Sequence, residues 1–456
     1  MVEATTDPVR LPPGPRLPKL LQGLVMLTAR QQAVSALHRR YGSEFTVNVP
    51  ILGRTVVLSD PALVKDVYSS PRDMIVRPGH NLGETIGPGS TFSLEGDEHL
   101  ERHRLLVPPF HGKRVRGYEP IIEEEVRKEI SSWPEGEEFE TLEPMMRITL
   151  NAILRAVFGA EGGALARLRE LIPRAVALGS RFVLLPAAAR RDLGAWSPGG
   201  RYQRIRDEID EVINQLSAEA RSDPGFKDRG DVLTMLLQAR TENGEHIPDA
   251  HIADELVTMV VAGHETTATQ LSWAIERLRR HPELLVRLTD EVDAGGSDLR
   301  QAVIWETQRT RPVIDNVPRR TKKRIRLGNW VIPEETNMFV SIQLAHADDR
   351  NYSHPESFDP DRYAQGAPKP PAWIPFGGGI NRCVGAGFAN MEMDVTLRTL
   401  LQELRFVPTD APDEPLWDRG VALAPKRGGR AVVFKRHGGA RSGAGAVTSQ
   451  SAVPPQ

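Results

Sequence analysis

The chain holds a single cysteine, Cys383, set in Phe376-Gly377-Gly378-Gly379-Ile380-Asn381-Arg382-Cys383-Val384-Gly385. Amide groups of this run, and of the helical pattern that follows it, can stabilise a thiolate, and Arg382 adds positive charge. Three consecutive glycines lose much backbone entropy on folding. They make sense where the backbone must come close to something flat and large. This is a thiolate environment rather than a filler environment, and a nucleophilic cysteine is one functional reading of it. A nucleophile needs a histidine base oriented by a third group, and neither His346 nor His354 sits in a diagnostic pattern. A passive cysteine in a glycine-rich turn is the plain alternative.

A second cluster, Ala262-Gly263-His264-Glu265-Thr266-Thr267, interrupts an apolar helical pattern. Gly costs about 1 kcal/mol in a helix interior. Thr bonds back to the backbone and bends helices, and a buried Glu is expensive unless paired or protonated. Such local conflicts are expected at functional sites. The chemistry on offer is an acid and a hydroxyl for proton delivery. The alternative is a partly exposed helix with a harmless glycine. His264-Glu265-Thr266-Thr267-Ala268 begins like the zinc-protease HExxH, but Ala268 replaces the second histidine, so a zinc site fails.

These clusters must be held by long elements. Pro248 and a capping Asp249 open a helix expected over 249–280, with Ile252, Leu256, Met259 and Val260 before the polar centre and Leu271, Ala274, Ile275 and Leu278 after it. At roughly 30 residues it far exceeds the globular mean of about 11–12, so it should cross the core. A second helix is expected from Gly385 to about Leu404, directly after the cysteine. The segment 20–40 reads as one amphipathic helix. Phe45, Val47 and Val49 alternate and pair with 55–58 in a hairpin turning at 51–54. A short helix follows over 61–69, and the glycine-rich 77–93 reads as a loop. From about Glu98 to Arg311 the pattern is mostly helical, 325–342 shifts to strand, and 346–383 is loop-rich. The Pro-rich 11–15 should run extended over the surface. The expected architecture is mainly α: one domain over 1–436 with a β-rich part near 41–70, then a disordered tail over 437–456.

Composition narrows the classes. One cysteine in 456 residues excludes a disulfide framework and a cysteine-rich zinc or iron–sulfur site. A net charge of −2 argues against nucleic-acid binding by bulk charge. The start lacks the apolar h-region of a signal peptide, and no apolar run reaches the roughly 18 residues of a membrane span. A cytoplasmic protein is expected.

Here the residues carry a resemblance. The segment 376–385 resembles the haem-binding loop of cytochrome P450 monooxygenases, Phe-Gly-x-Gly-x-Arg-x-Cys-x-Gly. The segment 262–267 resembles the family's oxygen-activation motif. Glu306-Thr307-Gln308-Arg309 matches its Glu-x-x-Arg, and Phe358-Asp359-Pro360-Asp361-Arg362-Tyr363 looks like its Phe-x-Pro-x-Arg-aromatic segment. Any one of these is a modest signal, but all occur in the family's order and the likeness covers 11–436.

The resemblance implies a P450 fold and a haem b held by Cys383 as axial metal ligand, with Phe376, Gly377 and Gly385 shaping the loop. It makes Thr266 the residue delivering protons to dioxygen and Glu265 the acid that recharges it, with Ala262 and Gly263 leaving room beside the haem. Glu306, Arg309 and Arg362 form a structural triad. His99 and Arg319 match propionate donors. His103 and Asn381 stand where the family usually has arginines, which implies looser haem retention or stronger pH dependence. The implied reaction inserts one oxygen atom of O2 into a hydrophobic small molecule (a lipid, steroid, terpenoid or polyketide). Electrons come from NAD(P)H through a separate ferredoxin and ferredoxin reductase, or another flavoprotein. A patch of Arg102, Arg104, Lys113, Arg114 and Arg382 is the expected docking face, and the protein is expected to be a monomer. The pocket is expected at 77–91, 259–263, 313–317 and 421–423, with Asp315 and Asn316 as polar anchors. A haem-thiolate protein with a non-oxygenase role, such as a sensor or isomerase, is the alternative; the pair Glu265 and Thr266 disfavours it.

Overall fold

The computed structural model describes residues 2–50, 52–78, 81–159, 162–182, 191–194, 196–420 and 422–436. The tail expected over 437–456 lies outside them.

Alternation along Glu44–Val49 buries Phe45 and Val47 and sets up an antiparallel pairing with Gly53–Leu58, Thr46 opposite Val56. Gly53, at φ 67°, supplies the left-handed turn residue. This expected hairpin is only the edge of the sheet. Gly53–Leu58 pairs in parallel with Asn337–Ser341, which pairs with Asn316–Thr321 and, beyond it, Ile75–Val76. The β portion expected near 41–70 is thus completed by strands arriving almost three hundred residues later. Arg319 sits on one of them, opposite Met338.

The rest is helical. Asp249–Arg279 is one unbroken helix that packs most extensively on Leu142–Phe158. Its burial explains its length: nearly every residue from Ile252 to Val260 and from Thr267 to Arg279 is inside, so the apolar pattern is not confined to one face. Asp249 is not its cap. It is the first helical residue, and its carboxylate forms a two-pronged pair with Arg221 at 2.6 and 2.9 Å. The helix Ala386–Glu403 follows the cysteine as expected and packs against Asp249–Arg279.

Two expectations fail. The segment 20–40 is two helices, Lys19–Thr28 and Arg30–Tyr41, broken at Ala29. The glycine-rich 77–93 is not loop throughout; Asn81–Ile86 is helical. The 11–15 segment does run extended, against strand residue Thr46, whose N–H and hydroxyl donate to the carbonyls of Pro13 and Pro12.

Candidate active site

The interruption at 262–267 does not break the long helix. Val261, Ala262, Gly263 and Thr266 are half-open, while the helix before and after them is buried. The Thr266 hydroxyl donates to the Ala262 carbonyl at 2.7 Å. Glu265 is buried, and one of its oxygens accepts from Nε of Arg419 at 2.9 Å. Arg419 stands 154 residues away in sequence, and no local pattern points to it. Gly263 has its own reason: a side chain there would meet Ile153 at 3.2 Å. The glycine therefore permits close packing on Leu142–Phe158.

Cys383 follows a short 3₁₀ turn, Gly379–Asn381, and its N–H donates to the Phe376 carbonyl at 3.0 Å. The glycine run is explained by Tyr68, not by a ligand alone. A side chain at Gly378 would strike the Tyr68 ring at 2.4 Å, and one at Gly379 would strike the Tyr68 carbonyl at 2.3 Å. Gly377 and Gly379 also need φ of 66° and 68°. Cys383 is solvent-accessible at its surface, while protein atoms crowd around the thiol. That enclosure pushes the thiol above its ordinary value, against the lowering effect of the Gly385 amide and Arg382. The expected thiolate field is therefore not supplied by the protein alone.

Beside the loop lies a cleft lined by Tyr68, Arg72, Arg77, His99, Arg319 and Asn381, among others. Asn381 Nδ2 lies 3.3 Å from His99 Nε2. An amide N–H can only donate, so this contact places the histidine proton on Nδ1. Nδ1 is buried and has no hydrogen-bond partner among the described residues. Burial, then Arg77, lowers the His99 pKa to about 4, so the ring is neutral. Arg319 is buried, stacks on Tyr68 at 5.4 Å and bonds only the carbonyl of Pro318. Among the described residues no carboxylate pairs with it, and burial lowers its pKa. Arg77, lowered to about 10 by burial and then by Arg319, spends one nitrogen on the Thr91 and Leu94 carbonyls. Buried cations without anions mark a site for one.

His103 is not in this group. Its Nε2 donates to the Arg382 carbonyl at 3.0 Å, tying the helix Gly96–Leu106 to the cysteine loop. Arg102 departs from the expected surface patch. It is buried, bonding Glu255 at 3.1 Å and the Gly89 carbonyl at 3.0 Å. Arg104, Arg114 and Arg382 are exposed; the Lys113 side chain lies outside the described residues. Asp315 is not a free anchor either. Arg30 pairs with it at 3.1 Å, and Asn316 donates to it at 2.6 Å. Val421, expected in the pocket, lies outside the described residues.

Glu306, Arg309 and Arg362 lie together in the structure. Glu306 and Arg309, one turn apart, form two bonds of 2.7 and 2.8 Å, and Arg362 adds a third at 3.1 Å. Arg309 also donates to the carbonyls of His346, Pro355 and Ser357. Tyr363 and the Asp359 N–H donate to Glu306. His346 then accepts the Ile374 N–H at 2.9 Å, just before the cysteine segment. The cluster thus fastens the loop-rich 346–374 to the helix Asp298–Thr310.

The fold is mainly helical, with the one cysteine just before a core helix and a polar stretch inside a second, unbroken core helix. The sequence profile described as Cytochrome P450 matches residues 12–430, and the chain belongs to that family. It is 49% identical over 429 residues to the Mycobacterium tuberculosis protein named "Putative cytochrome P450 138", covering 94% of this chain and 97% of that one. It is 37% identical over 437 residues to "Putative cytochrome P450 135B1" of the same species, covering 93% and 92%. The fold is shared with retinoic acid-bound cyanobacterial CYP120A1 at a TM-score of 0.81 and 21% identity, covering 94% of this chain and 100% of that one. It is shared also with the cytochrome P450DA haem domain at 0.79 and 22%, covering 94% and 98%. Membership makes the protein a haem-dependent oxidoreductase of the monooxygenase type in general. No helix among the described residues is long and apolar enough to cross a membrane.

The residues present fit a haem. The orphaned Nδ1–H of His99 and the unpaired Arg319 suit carboxylate groups. The exposed Cys383 sulfur suits the iron, and a coordinating metal deprotonates a thiol outright. That removes the difficulty posed by its raised pKa.

Proposed function

We propose that this protein inserts one oxygen atom of O2 into a hydrophobic small molecule, taking two electrons from NAD(P)H through a separate ferredoxin and its reductase. The observation that carries the reading is Thr266, a hydroxyl in a half-open stretch of an otherwise buried helix, adjoining a buried acid. The haem, when bound through Cys383, supplies dioxygen activation, to which a thiolate ligand contributes electron density.

The chain's own residues do the rest. His99, Arg319 and Asn381 orient the haem edge. Thr266 holds a proton at Oγ1, passing it on by turning away from the Ala262 carbonyl. Glu265 restores that proton, its position fixed by Arg419. The apolar residues of the half-open stretch, Val261 and Ala262, favour a lipid, steroid, terpenoid or polyketide. Arg104, Arg114 and Arg382 offer an acidic redox partner a basic face.

The test is the visible spectrum of the reduced, carbon-monoxide-bound protein, followed by turnover with a ferredoxin system. A long-wavelength Soret band and electron-dependent product support the reading. The band without electron-dependent product would instead favour a sensor or isomerase.

A further inference from the structure

The helix Lys19–Thr28 is inside out. Its buried residues are Gln22 and Gly23. Gln22 donates to the carbonyls of Pro15 and Leu17 and accepts the Asn48 N–H, while a side chain at Gly23 would strike Pro50 at 2.6 Å. The polar and the smallest residues thus face the protein. Leu20, Leu24 and Leu27 face outward, 70%, 57% and 87% exposed, with Leu17 and Leu21 beside them. A helix that only braced the fold would turn these leucines inward. Contiguous exposed apolar residues on a soluble fold mark an interaction surface.

The charges around it select the occupant. From Pro8 to Ser43 the chain carries Arg10, Arg16, Lys19, Arg30, Arg39 and Arg40, and no Asp or Glu. Arg16 and Lys19, at the helix start, are exposed. We propose that this face docks on an anionic lipid surface, the helix lying in the plane of the headgroups. Leucines on one side with basic residues at the rim are the pattern of an interfacial helix. Ten residues reach about 15 Å, half the thickness of a bilayer core, so the helix lies on the membrane and does not span it.

Flotation of the full chain with phosphatidylcholine vesicles, with and without phosphatidylglycerol, tests this. The wild-type protein should float with the phosphatidylglycerol vesicles and lose binding as salt is raised. The combined variant Leu20→Glu, Leu24→Glu and Leu27→Glu should bind at least about tenfold less, as should Arg16→Glu with Lys19→Glu. All three side-chain sites are exposed, so circular-dichroism melting curves should match the wild type. Equal flotation of the leucine variant, or none by the wild type, overturns the proposal. So does a wild-type dimer that ignores vesicles and that the leucine variant converts to monomer.

Discussion

Glu306 and Arg309 are joined by two hydrogen bonds with almost no solvent at either side chain, 0% and 1% exposed. The pair is one face of a hub. Glu306 also meets Arg362, Tyr363 and the Asp359 amide, so its charge balances two guanidinium groups. Glu306→Gln leaves those cations buried without a counter-charge. It should lower unfolding free energy by about 3–5 kcal/mol. Denaturant titration of the apoprotein checks this, and loss of under 1 kcal/mol would be incompatible with the hub.

Thr266→Ala should separate electron use from product. The variant lacks the hydroxyl but keeps the helix, since the bond it loses is one helices do without. Product formation should fall about 100-fold while NAD(P)H consumption persists. Thr266→Ser should restore most of it. Product yield per NAD(P)H, measured in both, decides the matter.

His99 and Asn381 should govern haem retention together. His99→Phe removes the orphaned donor, and Asn381→Ala removes the group that fixes the ring's proton on Nδ1. Each should raise the rate of haem transfer to an acceptor apoprotein by about tenfold, the loss of one hydrogen bond to a charged group. Asn381→Arg should slow it. His103→Arg should have little direct effect on the propionates, because His103 addresses the Arg382 carbonyl.

Acid should destabilise the fold through His346. Burial, then Arg309, lowers its pKa to about 3, and its Nε2 must stay unprotonated to accept the Ile374 N–H. The unfolded histidine takes a proton near pH 6.5. The unfolded state therefore binds more protons between those values, and stability is lost as pH falls from 6.5 towards 3, by at most about 5 kcal/mol. His346→Gln should cost stability at pH 7 yet flatten this slope in denaturation curves taken across the range.

Glu392 should act with the opposite sign. It is fully buried nine residues after the cysteine, and neither oxygen has a well-formed hydrogen bond among the described residues. Among these, Thr267 is the one neighbour that favours its charged form. Burial raises its pKa well above the usual carboxylate range, so it stays protonated in the fold. Its unfolded form ionises, and stability is lost as pH rises from about 4.5. Glu392→Gln should remove that loss and leave the haem spectrum unchanged. A spectrum altered by this neutral replacement would mean that the side chain is charged in the fold.

Legibility in the sequence followed the range of the interactions. The hairpin at 44–58 and the helices around the cysteine and Thr266 announce themselves by local period. The break at Ala29 does not, because Lys19–Tyr41 contains no proline and its one glycine, Gly23, lies mid-helix. Arg102 and Asp315 looked available because their partners, Glu255 and Arg30, lie far away in the chain. The partner of Glu265 is equally remote. The Gly378 and Gly379 requirement was readable as a need for closeness; what they are close to was not.

Tyr68 supplies that neighbour, and the same ring carries Arg319 on its face. The cysteine loop is therefore not a portable module. A loop grafted from a relative that carries a side chain at position 378 or 379 would be rejected by this scaffold; a smaller residue at 68 would admit one at 378 but not at 379, where the clash is with the backbone, and would leave Arg319 without its support. Positions 68, 319, 378 and 379 form one inheritable unit, to be exchanged together or not at all.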